Sequence, residues 1–148
     1  MDFLRKRNEK GEVVRYKARL VAQDFSQRPD IDYMETYSPV VDVITFIYLI
    51  NLAVYEKLEM RLMDVVTTYL YGSLDHNIFM KIPEAFKVPE AYKDSRETCS
   101  IKLQKSLYGL KQSGRMWYNR LSEYLLKKGY KNNQICPWIF IKRWGLNL

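Results

Sequence analysis

Asp64 lies in the stretch R-L-M-D-V-V-T-T-Y-L-Y-G, residues 61–72, flanked by Leu62, Met63, Val65 and Val66. A carboxylate among apolar neighbours is costly to bury unless a metal ion, an arginine or a helix cap partners it. From the residues alone all three partners stay open. Arg15, Lys17 and Arg19 alternate with Val14, Tyr16, Ala18 and Leu20, so extended chain would set three cations on one face. That face suits phosphates; an equally good reading is a solvent-facing edge whose charges discourage aggregation. The chain has twelve Tyr, which join an apolar ring to a polar tip and stack on nucleotide bases. His76 is the single histidine, which leaves little for catalytic triads or multi-histidine metal sites. Cys99 and Cys136 have neither metal-binding spacing nor a disulfide framework and read as free thiols.

The elements that must hold these residues alternate along the chain. Phe3 to Arg7 and Glu12 to Ala22 read as a hairpin closed by Asn8-Glu9-Lys10-Gly11. Gln23 to Tyr37 is polar and turn-like. Ser38-Pro39 offers a cap and a first-turn proline for a helix running to about Lys57. Its apolar residues lie nearly all round, which predicts burial on most sides. Leu58 to Val65 reads as a strand ending near Asp64, and Ile78 to Ile82 as a second that Pro83 halts. A loop from Pro83 to Arg96 precedes a strand at Ser100 to Gln104. Arg115 to Lys128 is the clearest amphipathic helix, with a stripe of Trp117, Leu121, Tyr124 and Leu125 and a stop at Gly129. Pro137 opens a last strand, Trp138 to Ile141. Interleaved helices and strands predict an α/β or α+β class with a mostly antiparallel sheet.

The 148 residues suffice for one domain with a core, or for a piece of a larger one. Net charge is +7 but unevenly spread. Residues 1–28 carry eight Lys/Arg against four acids, residues 29–98 six against twelve, and residues 99–148 ten against one. Two basic segments flanking an acidic one fit a nucleic-acid enzyme, and equally a set of solvated faces. The first ten residues are charged, unlike a signal peptide. The longest apolar run, Val43 to Tyr55, falls short of the ~20 residues of a membrane span. The expected location is intracellular, cytoplasmic or nuclear, and neither secreted nor in a membrane.

Three separated stretches carry a family resemblance: Y-K-A-R-L-V-A-Q-D-F-S-Q (16–27), L-M-D-V-V-T-T-Y-L-Y-G (62–72) and K-S-L-Y-G-L-K-Q-S-G-R-M-W-Y (105–118). With I-D-Y-M-E-T-Y-S-P-V (31–40) and I-F-M-K-I-P-E (78–84) between them, the order resembles the reverse transcriptase of copia-type LTR retrotransposons. The resemblance runs from about Arg5 to Arg143. It implies an α+β right-hand polymerase fold, with fingers and the first part of the palm only, and helices packed on the sheet. About 1–60 would be mainly fingers; about 61–148 would begin the palm and add further fingers elements.

The resemblance also implies roles. Asp64 would be the first catalytic aspartate, sharing a metal with the Val65 main-chain carbonyl. Lys17 and Arg19 would face the incoming triphosphate, without a choice between them. Tyr69 would lie beneath the sugar and select deoxynucleotides. Tyr108, Gly109, Lys111 and Gln112 would line the nucleotide, while Arg15 and Arg115 would meet the nucleic-acid backbone. The implied reaction is template-directed DNA synthesis from dNTPs on an RNA template-primer. Two Mg²⁺ (or Mn²⁺) ions about 4 Å apart serve such in-line displacements, and Mg²⁺ takes carboxylate oxygens.

The sequence departs from the family pattern at Val66, Gly114 and Ala85, and it begins with Met1-Asp2-Phe3 as if from a late start. No aspartate follows Asp94, so the family's Tyr-Val-Asp-Asp motif is missing, as are thumb, connection and RNase H. The expectation is a truncated reverse transcriptase, lacking the remainder of Pol and inactive by itself. Asp64 would then sit half-satisfied, with a raised pKa or an exposed side chain. The alternatives are a non-catalytic, basic nucleic-acid-binding module and an unstable remnant with open sheet edges.

Overall fold

The computed structural model describes residues 1–84, 86–93 and 97–143. The departure at Ala85, the end of the expected loop at Arg96 and the terminal W-G-L-N-L lie outside the described residues.

The first hairpin forms where alternation and turn chemistry place it. β1 (Asp2–Arg7) pairs antiparallel with β2 (Val13–Arg19). Asn8 makes the turn: its side-chain oxygen accepts from the backbone N–H groups of Lys10 at 3.1 Å and Glu12 at 2.9 Å. Gly11 takes a φ of +82°, the left-handed conformation that glycine adopts without a Cβ penalty. The register sets Lys6 opposite Arg15, Leu4 opposite Lys17 and Asp2 opposite Arg19. Arg15, Lys17 and Arg19 do share a face.

α1 (Val43–Tyr55) begins later than Ser38-Pro39 suggests. Its cap is Asp42, whose carboxylate accepts from the Thr45 N–H at 2.8 Å and the Thr45 hydroxyl at 2.6 Å. Those bonds, the hydroxyl's foremost, hold the Asp42 carboxyl below its ordinary value. Ser38 instead lies against the start of the second helix, beside Gly114. The expected burial of α1 is not found: no residue of V-I-T-F-I-Y-L-I-N-L-A-V-Y is buried. Among the described residues no element packs closely on it.

The expected strand at Leu58–Val65 is absent as well. A strand exists only through its ladder partner, and among the described residues nothing pairs with this segment. The result is α+β, but among the described residues the single sheet is replaced by three separate two-stranded antiparallel ladders. β3 (Phe79–Lys81) pairs with β4 (Ser100–Lys102), and β5 (Lys131–Asn132) with β6 (Phe140–Ile141). Pro137 does not open the last strand. Its carbonyl accepts from the Tyr118 hydroxyl at 2.8 Å and the Asn132 amide at 2.7 Å, which ties the third ladder to the second helix.

α2 (Ser113–Lys127) is the organising element. Met116, not only the expected stripe, faces inward, while Tyr124 stays exposed with the Lys128 ammonium 5.7 Å from its ring. Gly129 ends the helix at φ +82°. A short 3₁₀ turn, Thr68–Tyr71, packs on α2 so closely that a Cβ on Gly72 would stand 2.6 Å from the Met116 Cβ. Among the described residues the buried apolar side chains are Ile78, Leu110 and Met116, with Ser106, Gln112 and Ser113 among them. The core therefore sits at the entry to α2.

Candidate functional site

Two backbone features join the exit of β2 to the turn before α2. The Ala22 N–H donates to the Tyr108 carbonyl at 2.7 Å. Gly109 has φ +85°, and a Cβ there would lie 2.2 Å from the Ala22 carbonyl oxygen and 2.6 Å from Val21 Cγ1. Only glycine permits that approach.

The junction gathers side chains from three distant stretches. The Arg19 guanidinium stands 5.4 Å from the centre of the Tyr108 ring, within cation–π range. Tyr108 meets Tyr69 edge-to-face, with ring centres 5.3 Å apart at 76°. Arg19 is weakly tied to Asp2, at 3.9 Å. Lys17 lies two residues back on the same face of β2, and Arg15 two further, opposite Lys6. Like charges directly opposed across a ladder repel, so this face is cationic at some cost to the hairpin.

Other candidate residues stand elsewhere. Gln112 is 1% exposed and both ends of its amide bond to protein: Oε1 accepts from Gln27 Nε2 at 3.1 Å, and Nε2 donates to the Asp32 carbonyl at 3.1 Å. Its amide is thus spent on bonds within the protein. The Lys111 N–H donates to Gln27 Oε1 at 2.8 Å, and its ammonium lies 5.6 Å from the Tyr33 ring. Arg115 is engaged by two carboxylates, Glu35 at 3.2 Å and Asp75 at 3.4 Å, and Asp75 also meets the His76 ring at 2.9 Å. Its charge is therefore largely matched within the protein.

Asp64 does not join the cluster. It is exposed, as are Leu62, Met63, Val65 and Val66, so the apolar burial expected around it does not occur. Among the described residues it has no hydrogen bond or ion pair. The Val65 carbonyl accepts from the Thr68 hydroxyl at 2.8 Å. Carboxylate and carbonyl oxygens are the donor type that Mg²⁺ takes. One carboxylate beside an already hydrogen-bonded carbonyl does not make a metal site, and no three acidic, histidine or cysteine side chains converge among the described residues.

Gln27, Asp32, Tyr33 and Glu35 lie in stretches that carry the family resemblance, but nothing in the sequence assigns them a role in the site, and Asp75 lies outside those stretches. Gln27 and Gln112 are 85 residues apart, and the polar stretch from Gln23 to Tyr37 reads simply as loop.

Residues 2–148 match the family described as Reverse transcriptase (RNA-dependent DNA polymerase). The chain is 37% identical over 145 residues to the retrovirus-related Pol polyprotein from transposon TNT 1-94 of Nicotiana tabacum, covering 98% of this chain and 10% of that protein. It is 37% identical over 146 residues to the corresponding polyprotein from transposon RE1 of Arabidopsis thaliana, again over 10% of its length. To the transposon Ty1-BL Gag-Pol polyprotein of Saccharomyces cerevisiae it is 28% identical over 137 residues, 85% of this chain and 7% of that protein. It thus spans a tenth or less of the length of these relatives. No solved structure matches it.

Proposed function

The chain belongs to the reverse transcriptase family of copia-type transposon Pol polyproteins, and on that premise we propose that it carries the nucleotide-facing half of a polymerase site. The observation behind this reading is the meeting of Arg19, Tyr69, Tyr108 and Gly109 at one junction. A guanidinium with Lys17 beside it offsets triphosphate charge. The Tyr69 ring offers a floor for a deoxyribose, and Gly109 admits close backbone approach. Arg15 and Lys6 extend the cationic face toward a template-primer backbone. Residues about 1–60 act as fingers, and about 61–148 begin the palm.

Asp64 with the Val65 carbonyl contributes to a divalent-metal site that needs further carboxylates. We assign no chemical step to this chain alone. α1 and the unpaired segment at 58–66 form the face against which the remainder of Pol packs. The chain by itself is expected to extend no primer on an RNA template with Mg²⁺ or Mn²⁺. Incorporation of dNTPs that disappears in Asp64→Ala would overturn that.

A second reading, a non-catalytic nucleic-acid-binding module, is favoured by the opposed Lys6 and Arg15 and by the net +9 of residues 99–148. Both readings require RNA or DNA binding that weakens with salt. A dTTP titration separates them: saturable binding that Tyr69→Ala or Arg19→Gln weakens favours the polymerase site, and its absence favours the module.

A further inference from the structure

Gln112 poses a problem that its burial sharpens. An amide taken out of water costs free energy unless all its groups are bonded, and an apolar residue would fill the space more cheaply. Here the amide is not idle. Gln112 Oε1 accepts from Gln27 Nε2, Gln27 Oε1 accepts from the Lys111 N–H, and Gln112 Nε2 donates to the Asp32 carbonyl. Two side chains thus close a ring with the backbone at the entry of α2.

The ring and the Ala22–Tyr108 hydrogen bond join the same two stretches of chain, 22–27 and 108–112. Between Ala22 and Gln27 the chain makes a short 3₁₀ turn, Asp24–Ser26, with no buried residue and Phe25 largely exposed. The segment leaving β2 is therefore fastened at two places, Ala22 to Tyr108 and Gln27 to Lys111 and Gln112. Two fastenings fix an angle where one leaves a pivot. The angle they fix is that between β2, which carries Arg19, and the turn that carries Tyr108.

We propose that Gln27 and Gln112 are positioning residues: a buried amide clamp that sets the Arg19–Tyr108 contact, and through it nucleotide affinity, without touching nucleotide. The link to affinity rests on the reading of the cluster as a nucleotide site. The clamp itself does not.

The test uses the full 148-residue chain in wild-type, Gln27→Leu, Gln112→Leu, double and Gln27→Glu forms. NMR reads three quantities: the Arg19 Nε–H resonance, displaced by the Tyr108 ring; amide exchange at Ala22 and Lys111; and dTTP affinity. Circular dichroism reports whether α2 survives. Both leucine variants should keep α2, lose the ring-induced displacement and exchange faster at Lys111 and Ala22. They should bind dTTP about five- to tenfold more weakly. The double variant should be little worse than either single one, because both break one ring of bonds.

Gln27→Glu is the decisive form. Ionised, it keeps the acceptor for Lys111 but has no donor for Gln112. Protonated, it regains that donor, so the Arg19 displacement should return as pH falls through about 4–5. Arg28, Asp32 and Lys111 lie nearby, Lys81 and Glu84 line the same cavity as Gln27, and wild-type protein at the same pH controls for them all. Space-filling alone gives no such recovery. Folded variants, Gln27→Glu included, with unchanged Arg19 resonance and exchange rates would overturn the clamp. Should the leucine forms unfold, Gln27→Glu still decides. Wild-type protein that does not bind dTTP overturns the nucleotide reading, while resonance and exchange independently decide the clamp.

Discussion

A methyl group at Gly109 would meet the Ala22 carbonyl oxygen at 2.2 Å on a backbone already at φ +85°. The conformation alone costs a non-glycine residue about 1–3 kcal/mol, and the contact adds to it. Gly109→Ala should therefore lower the midpoint of chemical denaturation and release the Arg19–Tyr108 contact; an unchanged midpoint would contradict the described junction. A second residue-scale prediction concerns Asp75. Burial pushes its carboxyl up, but the His76 hydrogen bond, with the His76 and Arg115 charges, outweighs burial and holds it below its ordinary value. A depressed folded value means a contribution present above the unfolded carboxylate range and lost as pH falls through the folded value. Acid should accordingly weaken the Glu35–Arg115–Asp75 junction below about pH 4. Asp75→Asn should flatten that limb of a thermal-unfolding profile.

Among the elements, the hairpin and α1 make opposite use of exposure. The β1–β2 ladder holds Lys6 opposite Arg15, an arrangement that repels until a polyanion screens it. Lys6→Glu should strengthen the hairpin and weaken RNA binding. It should also lower the slope of log affinity against log salt by about one for the lost phosphate contact. An unchanged slope would remove this face from the interface. α1 shows Ile44, Phe46, Ile47 and Tyr48 to solvent, where a solitary helix has no reason to be apolar. Ile44→Lys with Ile47→Glu should leave its circular dichroism intact and reduce self-association in sedimentation. In a helix packed within the chain, the same changes would unfold it.

The whole molecule exposes 12930 Å², against roughly 8,000 Å² for a compact monomer of this mass. Exposed apolar side chains run along α1, the segment at 58–66, the hairpin and the loops at 25–41, while among the described residues the buried core sits at the entry of α2. Apolar surface on this scale marks interaction faces or aggregation. At this scale the chain is expected to bind single-stranded RNA and duplex template-primer in a salt-sensitive way. It should unfold with low cooperativity, read as a broad calorimetric transition. A sharp transition of a monomer would show that α1 finds a partner within the chain.

Local physics was legible in the sequence wherever neighbours along the chain decide the outcome. The alternation from Val14 to Leu20, the Asn8–Gly11 turn, the span of α2 and its stop at Gly129 all follow from periods and turn chemistry. The motif order also carried the family, because side-chain type and spacing survive without coordinates. Tertiary structure decided what pairs across distance. It withheld a ladder partner from Leu58–Val65, which left Asp64 exposed, and it left α1 uncovered. It engaged Arg115 with Glu35 and Asp75, and tied the buried Gln112 to Gln27. Hydrogen bonds and ion pairs spanning forty to eighty-five residues leave no period in a sequence, since either partner alone is an ordinary polar residue in a loop or helix start.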